Sequence, residues 1–251
     1  MTEKKETVYR IPITVLPSQC DETLHLSVPA ALAVCQDIAT LHAGEMGVDG
    51  GTFYKKSNAY WVVSRIRLKM LRRPAMLDEI TAETWPSAPA GVRCDRSYLI
   101  SMGGEHLIEG RSEWTAIDAD TRKLVRLEKT CYPKNLLYRE GRALDEDYHR
   151  LRDDLQPEDR VMERVVRATD IDFAHHMNNV VYPRMMFDTF PAGYWETHEP
   201  RSIEMRFMNE CHENETLTIF RRREEDGFRF AVRGEGGETA FLSLLETEDR
   251  K

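Results

Sequence analysis

The chain has 251 residues, 41% of them hydrophobic and 31% charged, with a formal net charge of −8 at pH 7. That length buries one large core or two small ones, and that charge excludes a nucleic-acid binder resting on bulk positive charge, though not a local basic patch. The polar start Met1–Thr7 has no apolar h-region, and no apolar run reaches membrane-spanning length, so a cytoplasmic protein without nucleic-acid or membrane partners is expected.

Residues 9–16 predict a first strand, with Pro12 marking an edge. Ser27 is placed to cap a helix whose Val28, Ala31, Leu32, Cys35, Ile38, Ala39, His42 and Met46 share one face, and Gly47 stops it. Strands are expected at 61–71, 79–85, 92–102 and 106–117. The first of these alternates, with Ile66, Leu68 and Met70 on one face and Arg65, Arg67 and Lys69 on the other. Asp118–Thr121 reads as a turn before a short Leu124–Val125 segment. One helix followed by antiparallel strands predicts an α+β layer with the helix packed on the sheet.

Residues 128–159 are charged, contain Pro133 and Pro157, and lack sustained periodicity. They read as an interdomain connection, partly helical at 145–154, between an N-terminal domain (1–127) and a C-terminal domain (160–251). The second domain begins with a strand at 161–168. A helix follows from Asn178 or Asn179, with Pro183 in its first turn and Tyr182, Met185, Met186 and Thr189 on one face. Strands then fall near 202–208, 215–222, 227–233 and 238–246, and Gly234, Gly236 and Gly237 make a hairpin turn.

The two halves repeat. Ile66, Leu68, Met70 and Ile80 match Ile203, Met205, Phe207 and Leu217 at an offset of 137, and Asp21, His25 and Leu26 match Asp172, His176 and Met177 at 151. The difference, 151 − 137 = 14, is extra chain in the first half around residues 50–57. Glu210 and Cys211 align with Arg73 and Pro74, so the halves differ in their chemistry.

The densest chemistry lies in Asp170-Ile-Asp-Phe-Ala-His-His-Met-Asn-Asn-Val-Val-Tyr182, with a second fragment at Arg206-Phe-Met-Asn-Glu-Cys-His212. Together they offer a base, a nucleophile and a helix start, which suits attack on a carbonyl carbon. Two routes stay open. Glu210 or Asp172 activates water while His176 positions or shuttles a proton, or Cys211 attacks after His176 takes its proton. An extended 210–212 segment sends Glu210 and Cys211 to opposite faces, so one of them enters the cleft. Backbone N–H groups at the helix opening near Asn178 and Asn179 are the candidate oxyanion donors. His175, His176, Cys211 and His212 have no familiar zinc-ligand spacing, so no metal is expected. The five cysteines, at 20, 35, 94, 131 and 211, form no Cys-x-x-Cys pair and predict mostly buried free thiols in a reducing compartment. Arg221–Arg223, Arg72-Arg73 and Lys55-Lys56 are charge runs, any of which could steer an acidic partner.

The ordered series Trp61-Val-Val-Ser-Arg65, Glu83-Thr-Trp-Pro86, Glu113-Trp114 with Ile117-Asp118, Asp172-x-x-x-His176-Met-Asn-Asn179 and Glu210-Cys211 resembles the acyl-acyl-carrier-protein thioesterases of bacteria and plastids. The resemblance implies a tandem hotdog fold, two antiparallel sheets each wrapped around a long helix. It implies hydrolysis of the thioester between a fatty acyl chain and an acyl carrier protein, with the N-terminal half holding the chain. It also implies catalytic roles for Asp172, His176, Glu210 and Cys211, substrate contacts from Asn178, Asn179, Trp61 and Arg65, and no bound cofactor. A homodimer is left open. The family motif has an Asn at the position of Ala174, counted among its catalytic groups, and this chain lacks it, so the carboxylate-and-water route is preferred over the cysteine route, which uses an Asn to orient the imidazole. Acyl-CoA hydrolysis and acyl-thioester binding without turnover are the alternative readings.

Overall fold

The computed structural model describes residues 5–250. Its first half runs β1 (Lys5–Glu6), β2 (Tyr9–Thr14), α1 (Val28–Glu45), α2 (Gly50–Ser57), β3 (Ala59–Met70), β4 (Glu79–Pro86), β5 (Arg93–Met102), β6 (Glu105–Asp118), β7 (Leu124–Val125) and β8 (Leu136–Leu137). The second half runs β9 (Arg160–Val165), α3 (Val181–Phe187), α4 (Tyr194–Thr197), β10 (His198–Phe207), β11 (Thr216–Glu224), β12 (Gly227–Arg233) and β13 (Thr239–Asp249). Among the described residues, no helix is long and apolar enough to cross a membrane.

Eleven strands form one antiparallel sheet in the order β2-β4-β5-β6-β3-β10-β13-β12-β11-β9, with β7 hydrogen-bonded to β6. Counting the five main strands of each half along the chain, both halves have the order first-third-fourth-fifth-second. They meet where β3 pairs with β10, from Ser202 opposite Lys69 to Arg206 opposite Arg65.

The repeat extends to single hydrogen bonds. The Asp21 amide donates to the His25 carbonyl at 3.0 Å, and the Asp172 amide to the His176 carbonyl at 3.0 Å. The Leu26 amide donates to the Pro74 carbonyl, and the Met177 amide to the Cys211 carbonyl, both at 2.8 Å. Leu24 (φ 60°) and His175 (φ 63°) take the same left-handed conformation at matching loop tips. A bulge between Val63 and Arg65 on β3 recurs between Pro200 and Ser202 on β10.

Ser27 caps α1 as expected, its hydroxyl accepting the Ala30 amide at 3.2 Å. The buried face of α1 packs with Ile66, Leu68, Met70, Ile80 and Ile100 in the main core. Each such fully buried side chain contributes roughly 1.5–3 kcal/mol. The expected long helix of the second half is absent. Its counterpart α3 has 7 residues. Pro191 cannot continue it, and the chain beyond packs as an aromatic cluster, with Phe187 stacked on Trp195 at 4.8 Å, Phe190 tilted on Tyr194 at 4.8 Å and Tyr194 edge-on to Trp195 at 4.9 Å.

The expected helix at 145–154 is also absent, and residues 138–156 contain no helix or strand. They cross the face of the sheet that carries Arg67 and Arg206. Guanidinium groups satisfy their carbonyls in place of helical amides. Arg67 donates to Asp147 at 2.5 Å, Arg111 to Glu146 at 3.1 Å and Arg233 to Leu155 at 2.8 Å. Leu144, Leu151 and Leu155 are buried beneath this crossing.

At one end of the β3–β10 seam lies a buried ion cluster. Arg73, its side chain 1% exposed, pairs with Asp21 and, at 2.5 Å, with Glu199, which also accepts from Arg250 at 2.8 Å. Burial alone would raise both carboxylic acids. The Thr23 hydroxyl and Arg73 outweigh it for Asp21, and Arg73 and Arg250 outweigh it for Glu199, so both stay below their ordinary values. Replacing Arg73 with Met leaves Asp21 and Glu199 short of their main counter-charge and is expected to cost about 3 kcal/mol at pH 7. A carboxylate held low in the folded state contributes stability above its unfolded value, and that contribution is lost as pH falls through the folded value. The gap between parent and Arg73→Met in urea denaturation is therefore full at pH 7 and narrows below about pH 4.

Candidate functional site

The Asp172–His176 segment is a tight loop built by its own polar groups. Asp172 Oδ1 accepts the Ala174 amide at 2.8 Å, an Asx turn, and Ile171 and Met177 form a β-bridge at its base. Asp172 and His176 thereby face each other across the neck, with Oδ1 3.9 Å from Nδ1. That spacing supports electrostatic attraction and is too long for a hydrogen bond. Ala174 and His175 are exposed at the tip. Phe173 is 83% exposed, yet a Cβ built on Gly50 would stand 3.3 Å from its ring. The loop of the second half thus touches the start of α2 in the first half.

The second fragment is zipped to this loop. The Met177 amide donates to the Cys211 carbonyl at 2.8 Å, and His212 Nδ1 lies 3.4 Å from the His175 carbonyl. β10 ends at Phe207, and in the irregular stretch that follows Glu210 and Cys211 diverge. Cys211 turns inward and is 1% exposed, with the Tyr182 hydroxyl donating to its sulfur at 3.2 Å. Burial pushes its thiol up to about 11, against the smaller effect of the Tyr182 hydrogen bond. At pH 7 the thiolate fraction is then on the order of 10⁻⁴, and the thiol's partner is a phenol and not the His176 imidazole. Glu210 turns outward, and its Oε1 accepts from Arg122 Nη2 at 2.5 Å.

Arg122 was not foreseen. It sits at φ 57° in the turn between β6 and β7. Asp118 builds that turn, its Oδ1 accepting the Thr121 amide and hydroxyl at 2.8 Å each. The local pattern showed the turn. The contact spans 88 residues and has no local signal.

The helix opening expected near Asn178 or Asn179 falls at Val181. Asn178 forms the turn into it, its Oδ1 accepting the Val180 amide at 3.1 Å and its carbonyl the Val181 amide at 2.9 Å. Two candidate oxyanion donors, the Val180 and Val181 amides, are therefore occupied by Asn178, whose own amide donates to the Asp170 carbonyl at 2.8 Å, which leaves the Asn179 amide at the helix entrance. Asn179 is half-buried beside it. Trp61 lies in the satellite core under α2, stacked on Phe53 at 4.4 Å and donating to the Val48 carbonyl at 2.9 Å. The Arg65 guanidinium stands 5.6 Å over the Tyr148 ring, in the segment that crosses the sheet. The structure thus brings together Asp172, His176, Cys211, Asn178 and the backbone beside Glu210. It leaves Trp61 in a core and Arg65 under the crossing segment. Among the described residues, no group of three His, Cys, Asp or Glu side chains could hold a metal ion.

The model of the acyl-ACP thioesterase N-terminal domain matches residues 6–134, and that of the acyl-ACP thioesterase C-terminal domain matches residues 155–243. The chain belongs to the acyl-ACP thioesterase family. It is 26% identical over 197 residues to the chloroplastic oleoyl-acyl carrier protein thioesterase 1 of Arabidopsis thaliana, covering 72% of this chain and 54% of that one. It is 25% identical over 203 residues to the chloroplastic acyl-[acyl-carrier-protein] hydrolase FATB3 of Cuphea viscosissima, covering 76% and 49%. The chain spans about half the length of these curated relatives. In fold it is similar to an acyl-ACP thioesterase from Bacteroides thetaiotaomicron, with a TM-score of 0.82, 21% identity and coverage of 96% and 98%. It is equally similar to the 12:0-ACP thioesterase of Umbellularia californica, with a TM-score of 0.82, 20% identity and coverage of 97% and 98%. The family's fold, a large antiparallel hotdog-type sheet with few helices, is the one observed.

Because Cys211 is buried and protonated, iodoacetamide at neutral pH is expected to leave it unlabelled in the folded protein and to label it after denaturation. Peptide mass mapping checks this, and rapid native labelling of Cys211 would mark an activated thiolate.

Proposed function

We propose that this protein hydrolyses the thioester of fatty acyl-acyl-carrier-protein, releasing a free fatty acid, in a tandem hotdog whose second half carries the reacting groups. The observation that carries this reading is the backbone bond from Met177 to Cys211, which holds the Asp172–His176 loop against the Glu210 segment. Family membership supplies the substrate class. The division into an N-terminal hotdog (1–127) that binds the acyl chain, a connection (128–159) and a C-terminal hotdog (160–251) is supported by the repeated strand order and the repeated loop bonds.

In this mechanism Glu210 accepts a proton from water as the oxygen attacks the thioester carbon. Arg122 orients the carboxylate. Asp172 faces the His176 ring across the neck of the loop at 3.9 Å. The C=O bond becomes an oxyanion, to which the Asn179 amide at the entrance to α3 donates. Collapse of this tetrahedral species breaks the C–S bond, and His176 delivers a proton to the departing pantetheine sulfur. Water thus supplies the hydroxyl of the acid and, in net terms, the proton of the thiol. The buried, protonated state of Cys211 favours this route over a cysteine acyl-enzyme.

Ala174, in place of the family Asn, favours a second reading, a protein that binds acyl thioesters without turning them over. Thiol release from acyl-carrier substrates of several chain lengths separates the two. Glu210→Gln and Asp172→Asn are expected to lose about 10²-fold or more in kcat, and Cys211→Ala far less. Stoichiometric binding with no thiol release would favour the binder, and a trapped acyl adduct on Cys211 would replace the water route.

A further inference from the structure

Three runs of positive charge stand out in the sequence, and the fold uses up two of them. Arg72 pairs with Glu105 at 2.6 Å, and Arg73 is buried in its ion cluster. Arg221 donates to the Thr189 carbonyl at 2.5 Å, Arg222 pairs with Asp154 at 3.1 Å, and Arg223 stands 4.7 Å over the Phe228 ring. Lys55 and Lys56 differ. They are exposed in the last turn of α2 and enter no ion pair among the described residues.

The same face gathers more positive charge from distant sequence. Lys123, Arg126 and Lys129 line a surface groove together with Leu124 and Val125. Of these cations, Arg126 has an ion-pair partner, Glu128, at 2.7 Å. Asp118 and Asp120 accept from neutral donors and keep their charge, but α2 and residues 118–129 carry six cations (Lys55, Lys56, Arg122, Lys123, Arg126, Lys129) against three carboxylates (Asp118, Asp120, Glu128), a net of 6 − 3 = +3. Two apolar side chains lie exposed among the cations, Leu124 at 60% and Tyr54 at 44%. The face is also rigid. The Ala119 amide donates to the Asn58 carbonyl at 2.9 Å, the Cys131 amide to Ser57 Oγ at 2.8 Å, and Tyr54 stacks on Tyr60 at 4.9 Å.

This face adjoins the candidate site at two points. Arg122, in the same turn as Lys123, pairs with Glu210, and Gly50, at the start of α2, meets Phe173. A chain of net charge −8 that keeps unpaired lysines around exposed apolar side chains, beside a reactive loop, has a surface complementary to an acidic protein. Lysines suit this role because they are mobile point charges that steer a partner without demanding bidentate geometry.

We propose that the face formed by α2 and residues 118–129 is the docking surface of the acidic carrier protein, which delivers its thioester arm to the loop bearing Phe173. The delivery clause rests on the thioesterase reading, whereas the docking clause is tested by binding alone. The probe is an acyl carrier protein bearing a hydrolysis-resistant amide analogue of the acyl-pantetheine thioester, with Kd read by biolayer interferometry. The triple variant Lys55→Glu, Lys56→Glu, Lys123→Glu is expected to weaken binding at least about tenfold at low salt, with the gap shrinking at about 0.3 M salt through screening. The control pair Arg150→Glu, Arg152→Glu, on the crossing segment, is expected to bind as the parent does. Unchanged affinity in the triple variant, an equal loss in the control, or no binding by the parent overturns the docking surface. Hydrolysis of a small acyl-cysteamine thioester is measured in parallel and is expected to be equal in parent and triple variant. Its absence from both counts against the proposed reaction while the binding result still decides the docking surface.

Discussion

The pairing of β3 with β10 is the constraint on which the rest of the molecule depends. It fuses two five-stranded halves into one sheet, and its register sets what meets at each end of the seam. Because the strands run antiparallel, the chain leaving β3 arrives beside the start of β10, and the chain leaving β10 arrives beside the start of β3. Arg73 therefore meets Glu199 at one end, and Glu210 meets Arg122 near the other. A two-residue slip in this pairing keeps the same faces inward but separates both ion pairs.

The two ends share a backbone and differ in chemistry. Each half builds the same loop, with the same internal bonds and the same left-handed residue at its tip. In the first half the position matching Glu210 is Arg73, and its charge is neutralised by Asp21 and Glu199 in a buried cluster. In the second half the aspartate has no arginine at that position, and His176 lies 3.9 Å away, half-exposed. One copy of the loop is committed to holding the halves together. The other keeps ionisable groups at the surface, where a substrate can reach them. A single change of sign at one aligned position accounts for much of that division.

Legibility varied with the range of the interactions involved. α1 was readable because a capping serine, an apolar stripe and a terminal glycine all lie within twenty or so residues of one another. α2 was missed and appeared only as surplus chain. It opens with two glycines, which are poor helix formers, and is held by the Asp49 cap, a left-handed Asn58 and the burial of Phe53. The crossing segment at 145–154 was misread as helix because its polar carbonyls are satisfied by arginines from strands far away in sequence. The divergence of Glu210 and Cys211 was readable, since the relative direction of adjacent side chains is a local property. That Glu210 faces Arg122, and that Cys211 faces Tyr182, was not.

The order of elements, the internal repeat and its offsets, the family resemblance and the chemical content of the Asp172–His176 loop all follow from patterns of spacing and residue type. Spacing encodes local backbone preference and which side chains share a face, so it carries that much without coordinates. Which groups are neutralised, which thiol is buried beyond ionisation, how short the second helix is and which lysines remain unpaired emerged from the folded chain. These depend on contacts between residues tens to more than a hundred positions apart, where burial and counter-charge are set by the sheet register and by no local pattern.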